Sequence, residues 1–283
     1  MADNGQIDFK LYRYEPSMVA AVIFIILFVI VTALHTYQMM RTRTWIFIPF
    51  VVGGVFQVIG YIGRAIASNE APNYSVGVYC IQTILLLVSP ALFAASVYMM
   101  LGRIILVTDG EAHAILRKRW LTKLFVTGDV ISFLMQGAGG GIMASGTISA
   151  VNTGEKIIIG GLIVQLLFFG FFVITGVIFH LRMHCVSTST IFTQSIPWQR
   201  QLMSLYGASM LILVRCIFRL IEYAQGNDGY LISHEVFLYL FDAVLMFVTM
   251  LLMAWIHPSE ITALLAHGKR VAVRNGFHTY QLA

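Results

Sequence analysis

The sequence predicts an all-α polytopic membrane protein of seven transmembrane helices, with its N-terminus outside and its C-terminus in the cytoplasm. Three observations carry this. Hydrophobic residues make up 58% of the chain and charged ones only 11%, with a mean hydropathy of +0.82. A soluble domain of this length carries roughly 25% charged residues, so much of this surface must be covered by lipid. Apolar runs of spanning length recur seven times. Lys and Arg alternate in abundance between successive connections.

A bilayer core about 30 Å thick takes about 20 apolar residues per helix. Runs of that length fall at approximately 18–39, 45–67, 78–101, 121–145, 157–181, 201–222 and 236–257. The polar backbone cannot be left bare in hydrocarbon, so these runs are expected as helices. This divides the chain into an extracellular segment (1–17), a helical domain (18–257) and a cytoplasmic tail (258–283). The first run is too long for a signal peptide and lacks a basic leader, so it is expected to remain as the first span.

Orientation follows the positive-inside rule. Arg41, Arg43, Arg103, Arg117, Lys118, Arg119, Lys123, Arg182, Arg200, Lys269, Arg270 and Arg274 fall on one side. Only Lys10, Arg13 and Lys156 fall on the other. The glycosylation sequon Asn73-Tyr74-Ser75 lies in the 2–3 connection, which this topology places outside. The cysteines, Cys80, Cys185 and Cys216, are too scattered for a disulfide framework or a zinc knuckle and read as packing residues.

Ionisable residues within spans are costly and, by default, functional candidates. Here they follow the helical period. Span 2 carries Gln57, Tyr61 and Arg64, and span 4 carries Asp129, Ser132 and Gln136. Span 6 carries Arg215, Arg219 and Glu222, and span 7 carries Glu235, Tyr239 and Asp242. Residues three, four and seven apart share one helix face. Each stripe must therefore point away from lipid, and Gln82 and Gln165 are expected to point inward with them. The three arginines and Glu222, Glu235 and Asp242 fall at similar depth in the outer half, where they can neutralise one another. Asp129 lies deeper, with no arginine at its own level. The ionic cluster reads either as structural pairing or as a ligand site, whereas Asp129, Gln136, Gln82 and Gln165 favour a solvated or ligand-lined cavity. The glycines of Gly137-Ala138-Gly139-Gly140-Gly141 fit close helix approach or a loosened helix. Pro49 and Pro90 are expected to kink their helices.

Several segments, taken in order, resemble the fungal RTA-like family of seven-helix proteins, the lipid-translocating exporters. They are Gln57-Val-Ile-Gly60-Tyr61-Ile-Gly63-Arg64, then Gln82 with Pro90, Ala94-Ala95 and Tyr98. Next come Gly128-Asp129-Val-Ile-Ser132 with Gln136 and the glycine run, and Gly160-Gly161-Leu162 with Gln165. Last are Arg215-Cys-Ile-Phe-Arg219-Leu-Ile-Glu222-Tyr223, Glu235, Tyr239, Asp242 and His257-Pro258. Many members carry a glutamate where this chain has Gln57. The resemblance implies a fungal membrane protein, often of the plasma membrane, linked to movement of or resistance to sphingoid long-chain bases, aminosterols, porphyrins and other amphiphiles. Its partners would be membrane lipids and an amphiphilic substrate, with no cofactor and no nucleic acid. No phosphate-binding glycine loop is present in the sequence.

The leading reading is a lipid or amphiphile translocator or exporter, not an enzyme. The alternative is a seven-helix receptor or sensor for an amphiphile. However, span 3 ends in Gly102-Arg103-Ile104, span 7 lacks an Asn-Pro-x-x-Tyr element, and the 4–5 loop has no cysteine to pair with Cys80. Span 7 has no lysine for a retinal Schiff base. An intramembrane hydrolase ranks third: His180 and His184 have metal-pair spacing, but Arg182 lies between them and interfacial histidines are the plainer reading. No metal site is expected. If Asn73 is glycosylated, endoglycosidase treatment will increase gel mobility, and Asn73→Gln will abolish the shift.

Overall fold

The computed structural model describes residues 14–71, 74–116, 118–143, 147–185, 198–226, 229–265, 271–274 and 278–281. Its helices are α1 (Met18–Thr42), α2 (Ile48–Asn69), α3 (Val76–Val107), α4 (Lys118–Met143), α5 (Ile148–Cys185), α6 (Trp198–Ala224), α7 (Glu235–Trp255) and α8 (Ser259–Leu265). A hairpin of β1 (Val271–Arg274) and β2 (His278–Gln281) follows, with Val271 paired to Gln281 and Arg274 to His278. Asn73 lies outside the described residues.

Six helices, α1, α2 with the 3-10 turn before it, α3, α5, α6 and α7, are long and apolar enough to cross a membrane. The protein is thus an all-α polytopic integral membrane protein, apart from the terminal hairpin. The remaining long helix, α4, has 26 residues, but Asp129, Gln136 and its glycines dilute its apolar character.

Lipid-facing and core-facing residues separate cleanly on α1. Val19, Ile23, Ile26 and Ile30 are exposed, while Phe28, Val31, His35, Gln38 and Thr42 are buried at three- and four-residue intervals. Ser17 caps its start by accepting from the Ala20 amide (3.4 Å), and Arg43 ends it in the left-handed region at φ 54°. Pro49 does not kink α2. It occupies the first turn, where a missing N–H leaves no helical bond unmade. Pro90 lies inside α3, which runs unbroken through it. In α7, the turn Tyr239–Val244 is a π-helix, which brings the adjacent Asp242 and Ala243 both into the interior.

The glycine run of α4 does not loosen the helix, which continues to Met143. Of its glycines, Gly139 is the one that packs closely on α5. A Cβ at Gly139 would stand 2.6 Å from the Gly154 carbonyl oxygen, and one at Gly154 would collide with the Gly139 oxygen. By contrast, a Cβ on Gly137, Gly140 or Gly141 meets nothing within 4 Å. Gly54 of α2 is similarly tight, with Thr32 of α1 2.5 Å and Met250 of α7 2.9 Å from its hypothetical Cβ. Of the cysteines, only Cys216 is a packing residue; Cys80 and Cys185 are exposed, because each falls on the outer face of its helix.

The chain after α7 folds back onto the bundle. Five consecutive residues of α8, Ser259–Ala263, are buried. Gln201 of α6 donates to the Glu260 carboxylate and the His257 carbonyl (both 3.2 Å), and Arg103 of α3 donates to Thr262 (3.1 Å). Ser259 accepts from the Val273 amide of β1 (2.9 Å). The glycine geometry sets a contrast: Gly139→Val should destabilise the purified protein by about 1–3 kcal/mol, read as a lower melting temperature in detergent. Gly137→Ala, facing open space, should be neutral or slightly stabilising.

Candidate functional site: a buried polar core in three parts

Of the fourteen polar residues singled out from the sequence, thirteen are buried, and Glu235 is half-buried with its side chain 15% exposed. They do not form one cluster. They separate into a knot where α1 begins, a central ion-pair cluster and a polar cluster among α3, α4 and α5.

The knot is built on Arg64 of α2. Its guanidinium donates to Glu235 of α7 (2.9 Å), to the Tyr239 hydroxyl (3.2 Å) and to the Tyr14 hydroxyl. Its planar cation lies over the rings of Tyr14 and Tyr239, 5.4 and 5.3 Å from their centroids. Glu235 also accepts from the Ser17 amide at the start of α1 (3.0 Å). Burial pushes the Tyr14 phenol above its ordinary range against the pull of Arg64, so it stays protonated and serves as acceptor. This knot ties the segment before α1 to α2 and α7. Tyr14 and Ser17 were not singled out in the sequence, since neither lies in a helical stripe.

The central cluster joins α6 to α7 and α3. Arg215 pairs with Asp242 and donates to the Leu86 carbonyl (3.0 Å). Arg219 pairs with Glu222 one turn on (2.8 Å) and lies 3.9 Å from Asp242. The side chains of Arg215 and Asp242 are each 2% exposed. A charge this deep is tolerated only with a partner, and here each arginine has at least one carboxylate. Tyr61 sits between the knot and the cluster, its ring stacked with Phe28 (5.5 Å) and Tyr239 (6.0 Å). Gln82 packs against α2, its Cβ 3.1 Å from a hypothetical Cβ on Gly63.

The third cluster lies where α3, α4 and α5 meet. Asp129 accepts a hydrogen bond from Tyr98 on Oδ2 (3.0 Å), while its Oδ1 is buried without a partner among the described residues. The Tyr98 ring is packed by Phe125, Phe169 and Phe172, with centroids 5.3, 6.1 and 4.5 Å away. Two turns along α4, Gln136 donates to Ser132 (2.7 Å) and to Gln165 of α5 (3.2 Å), and Ser132 donates to the Gly161 carbonyl (2.7 Å). The partner that the sequence did not show for Asp129 is therefore a phenol, not an arginine. Phe169 and Phe172 line the interior at i, i+3 spacing, whereas Phe171 is 40% exposed.

Some polar atoms stay unsatisfied. Among the described residues, both side-chain atoms of Gln57, the Tyr61 hydroxyl, Thr32 Oγ1, Ser209 Oγ and Asp129 Oδ1 are buried without a hydrogen-bond partner. Each such atom costs about 1–3 kcal/mol if nothing occupies the space beside it.

The arrangement of these motif residues fits one family. A family model described as "RTA1 like protein" matches residues 50–264, from the start of α2 to α8. The chain belongs to the RTA1-like family. Protoporphyrin uptake protein 1 of Saccharomyces cerevisiae is 36% identical to this RTA1-like protein, covering 88% of this chain and 91% of its own length. A probable lipid transporter of Emericella nidulans, atnI, is 30% identical over 89% of this chain and 68% of its own. The sphingoid long-chain base transporter RSB1 of S. cerevisiae is 23% identical over 86% and 72%. These relatives are named as transport or uptake proteins rather than enzymes. No solved structure matches the chain.

The central pair makes a prediction about folding. Asp242→Leu leaves Arg215 buried without its main counter-charge, which should cost about 3–5 kcal/mol and sharply lower the monodisperse fraction on size exclusion. Adding Arg215→Met should recover most of the loss.

Proposed function

We propose that this RTA1-like protein is a seven-span carrier that moves an amphiphilic lipid across the membrane, with its N-terminus outside and its C-terminus in the cytoplasm. The observation that carries the reading is Asp129. It is a carboxylate buried at the junction of three helices, held on one oxygen by Tyr98, unpartnered on the other among the described residues, and bordered by aromatic rings. That combination suits an amphiphile with a cationic or hydrogen-bonding head and an apolar chain. The head group takes the open oxygen and the chain lies against Phe125, Phe169 and Phe172. Gln136, Ser132 and Gln165 supply further polar contacts toward the outer side. Gln57, Tyr61 and Gln82 belong to the same interior path. The Arg64, Arg215, Arg219, Glu222, Glu235, Tyr239 and Asp242 groups hold the helices around it and close its outer end.

Counting α4 as a span rests on its length and surroundings. Its 26 residues reach about 39 Å at roughly 1.5 Å per residue, and it packs along α3 and α5 with Asp129 facing inward. The twelve basic residues on one side then set the orientation. Names of relatives that include a sphingoid long-chain base transporter and a protoporphyrin uptake protein agree with an amphiphilic substrate. Residence in the plasma membrane, glycosylation at Asn73 and tolerance of toxic amphiphiles belong to the same reading.

The test is reconstitution. Purified protein in liposomes should accelerate transbilayer movement of a fluorescent long-chain base over protein-free liposomes. Asp129→Asn should reduce the rate at least about tenfold, a loss of roughly 1.4 kcal/mol, with yield and melting temperature kept. Flux equal in the variant, or absent in the intact protein, overturns the reading. Ligand-dependent association with a cytosolic protein in the absence of flux would mark a receptor instead.

A further inference from the structure

One cleft lies apart from the polar core. It opens at the end of the bundle where α1 turns into α2, α3 ends and α4 begins, with a volume of about 200 Å³. Its walls are Ile46, Met99, Gly102, Arg103, Leu106 and Thr122. The chemistry of that wall is divided. Ile46, Met99 and Leu106 are apolar, whereas Arg103 brings a guanidinium and Thr122 a hydroxyl. A Cβ on Gly102 would meet nothing within 4 Å, so the glycine leaves space that any side chain would occupy. Trp45 (54% exposed) and Trp120 (66% exposed) stand one and two residues from lining residues, as tryptophans do where a bilayer meets water. Arg41, Arg43 and Lys123 are exposed at the same end.

We infer that this cleft binds one anionic phospholipid of the adjoining leaflet, its phosphate on Arg103 and Thr122 and an acyl chain against Met99 and Leu106. Basic pockets between helices at a membrane surface take acidic head groups in this way, and a guanidinium matches phosphate oxygens in a two-point contact. A soluble phosphate fits less well, because half the wall is apolar and the cleft opens beside lipid-exposed side chains. The Arg103 guanidinium also donates to Thr262 of α8. An occupied cleft therefore adjoins the segment covering this end of the bundle. The site involves none of the residues assigned to the transport path.

The test uses the full chain in detergent micelles supplied with phosphatidylserine, phosphatidylcholine or inorganic phosphate. Native mass spectrometry and melting temperature are the readouts. Phosphatidylserine should remain bound at one per chain and raise the melting temperature, while phosphatidylcholine and inorganic phosphate do neither. Gly102→Leu, which fills the cleft, and Arg103→Ala should each weaken retention at least tenfold, and Arg103→Lys should restore part of it. Thr262→Val separates the two roles of Arg103: it removes the bond to α8 and should leave lipid retention unchanged. Equal retention of the two phospholipids, or undiminished phosphatidylserine retention in Gly102→Leu, overturns the inference. Loss in Thr262→Val also overturns it, since lipid would then be reporting the fold of α8.

Discussion

The pairing of Arg215 with Asp242 is the interaction around which the bundle is arranged. Both side chains sit where water is excluded, and neither charge is tolerable there alone. Satisfying them fixes the rotation of α6 and α7 about their own axes, because a turn of either helix would carry one partner toward lipid. Arg215 also reaches the Leu86 carbonyl, so α3 is held at the same level. Arg219 with Glu222, and Arg64 with Glu235 and Tyr239, extend the restraint toward the end of the bundle where α1 begins. Apolar packing alone discriminates poorly among helix rotations in a bilayer, since lipid tails are as apolar as the side chains they meet. Charge pairing supplies the discrimination.

The remaining polar groups follow a different rule. Around Arg64 and Arg215 the charged groups have partners, whereas Gln57, Tyr61 and one oxygen of Asp129 have none among the described residues. Asp242 Oδ2 and Arg219 Nε also lack a hydrogen bond among the described residues, but each belongs to an ion pair, whereas Gln57 and the Asp129 oxygen have no counter-charge beside them. The aromatic rings around Tyr98 sharpen the contrast, since they remove water from Asp129 without supplying it a hydrogen bond.

Much of this was legible in the sequence because helix geometry and lipid solvent leave few alternatives. The stripes on α2, α4, α6 and α7 do face inward, and the arginines do meet Glu222, Glu235 and Asp242. The ranges of the six apolar spans were recovered to within a few residues at most ends. The start of α5 was not. It begins at Ile148, because Glu155 and Lys156 continue the helix past the apolar run rather than ending it. The partner of Asp129 was missed for a related reason. A tyrosine among apolar residues gives no periodic signal, and only tertiary packing shows which carboxylate its hydroxyl reaches. Tyr14 and Ser17 were missed because they precede the first span, where periodicity is silent. Pro49 was misread as a kink, since one residue of helix boundary separates a disruptive proline from a harmless one.

The π turn of α7 has a mechanical consequence. It contains more residues per turn than the helix on either side, so the two halves of α7 are offset in phase. Moving that surplus residue along the axis would rotate the segment it crosses by about 100° while keeping a continuous helix. Tyr239, which meets Arg64, opens this turn, Asp242, which meets Arg215, lies within it, and Glu235 lies four residues before it. The knot at Arg64 and the central ion pair therefore share one irregular turn of α7, so a shift in the phase of that turn would be felt by both.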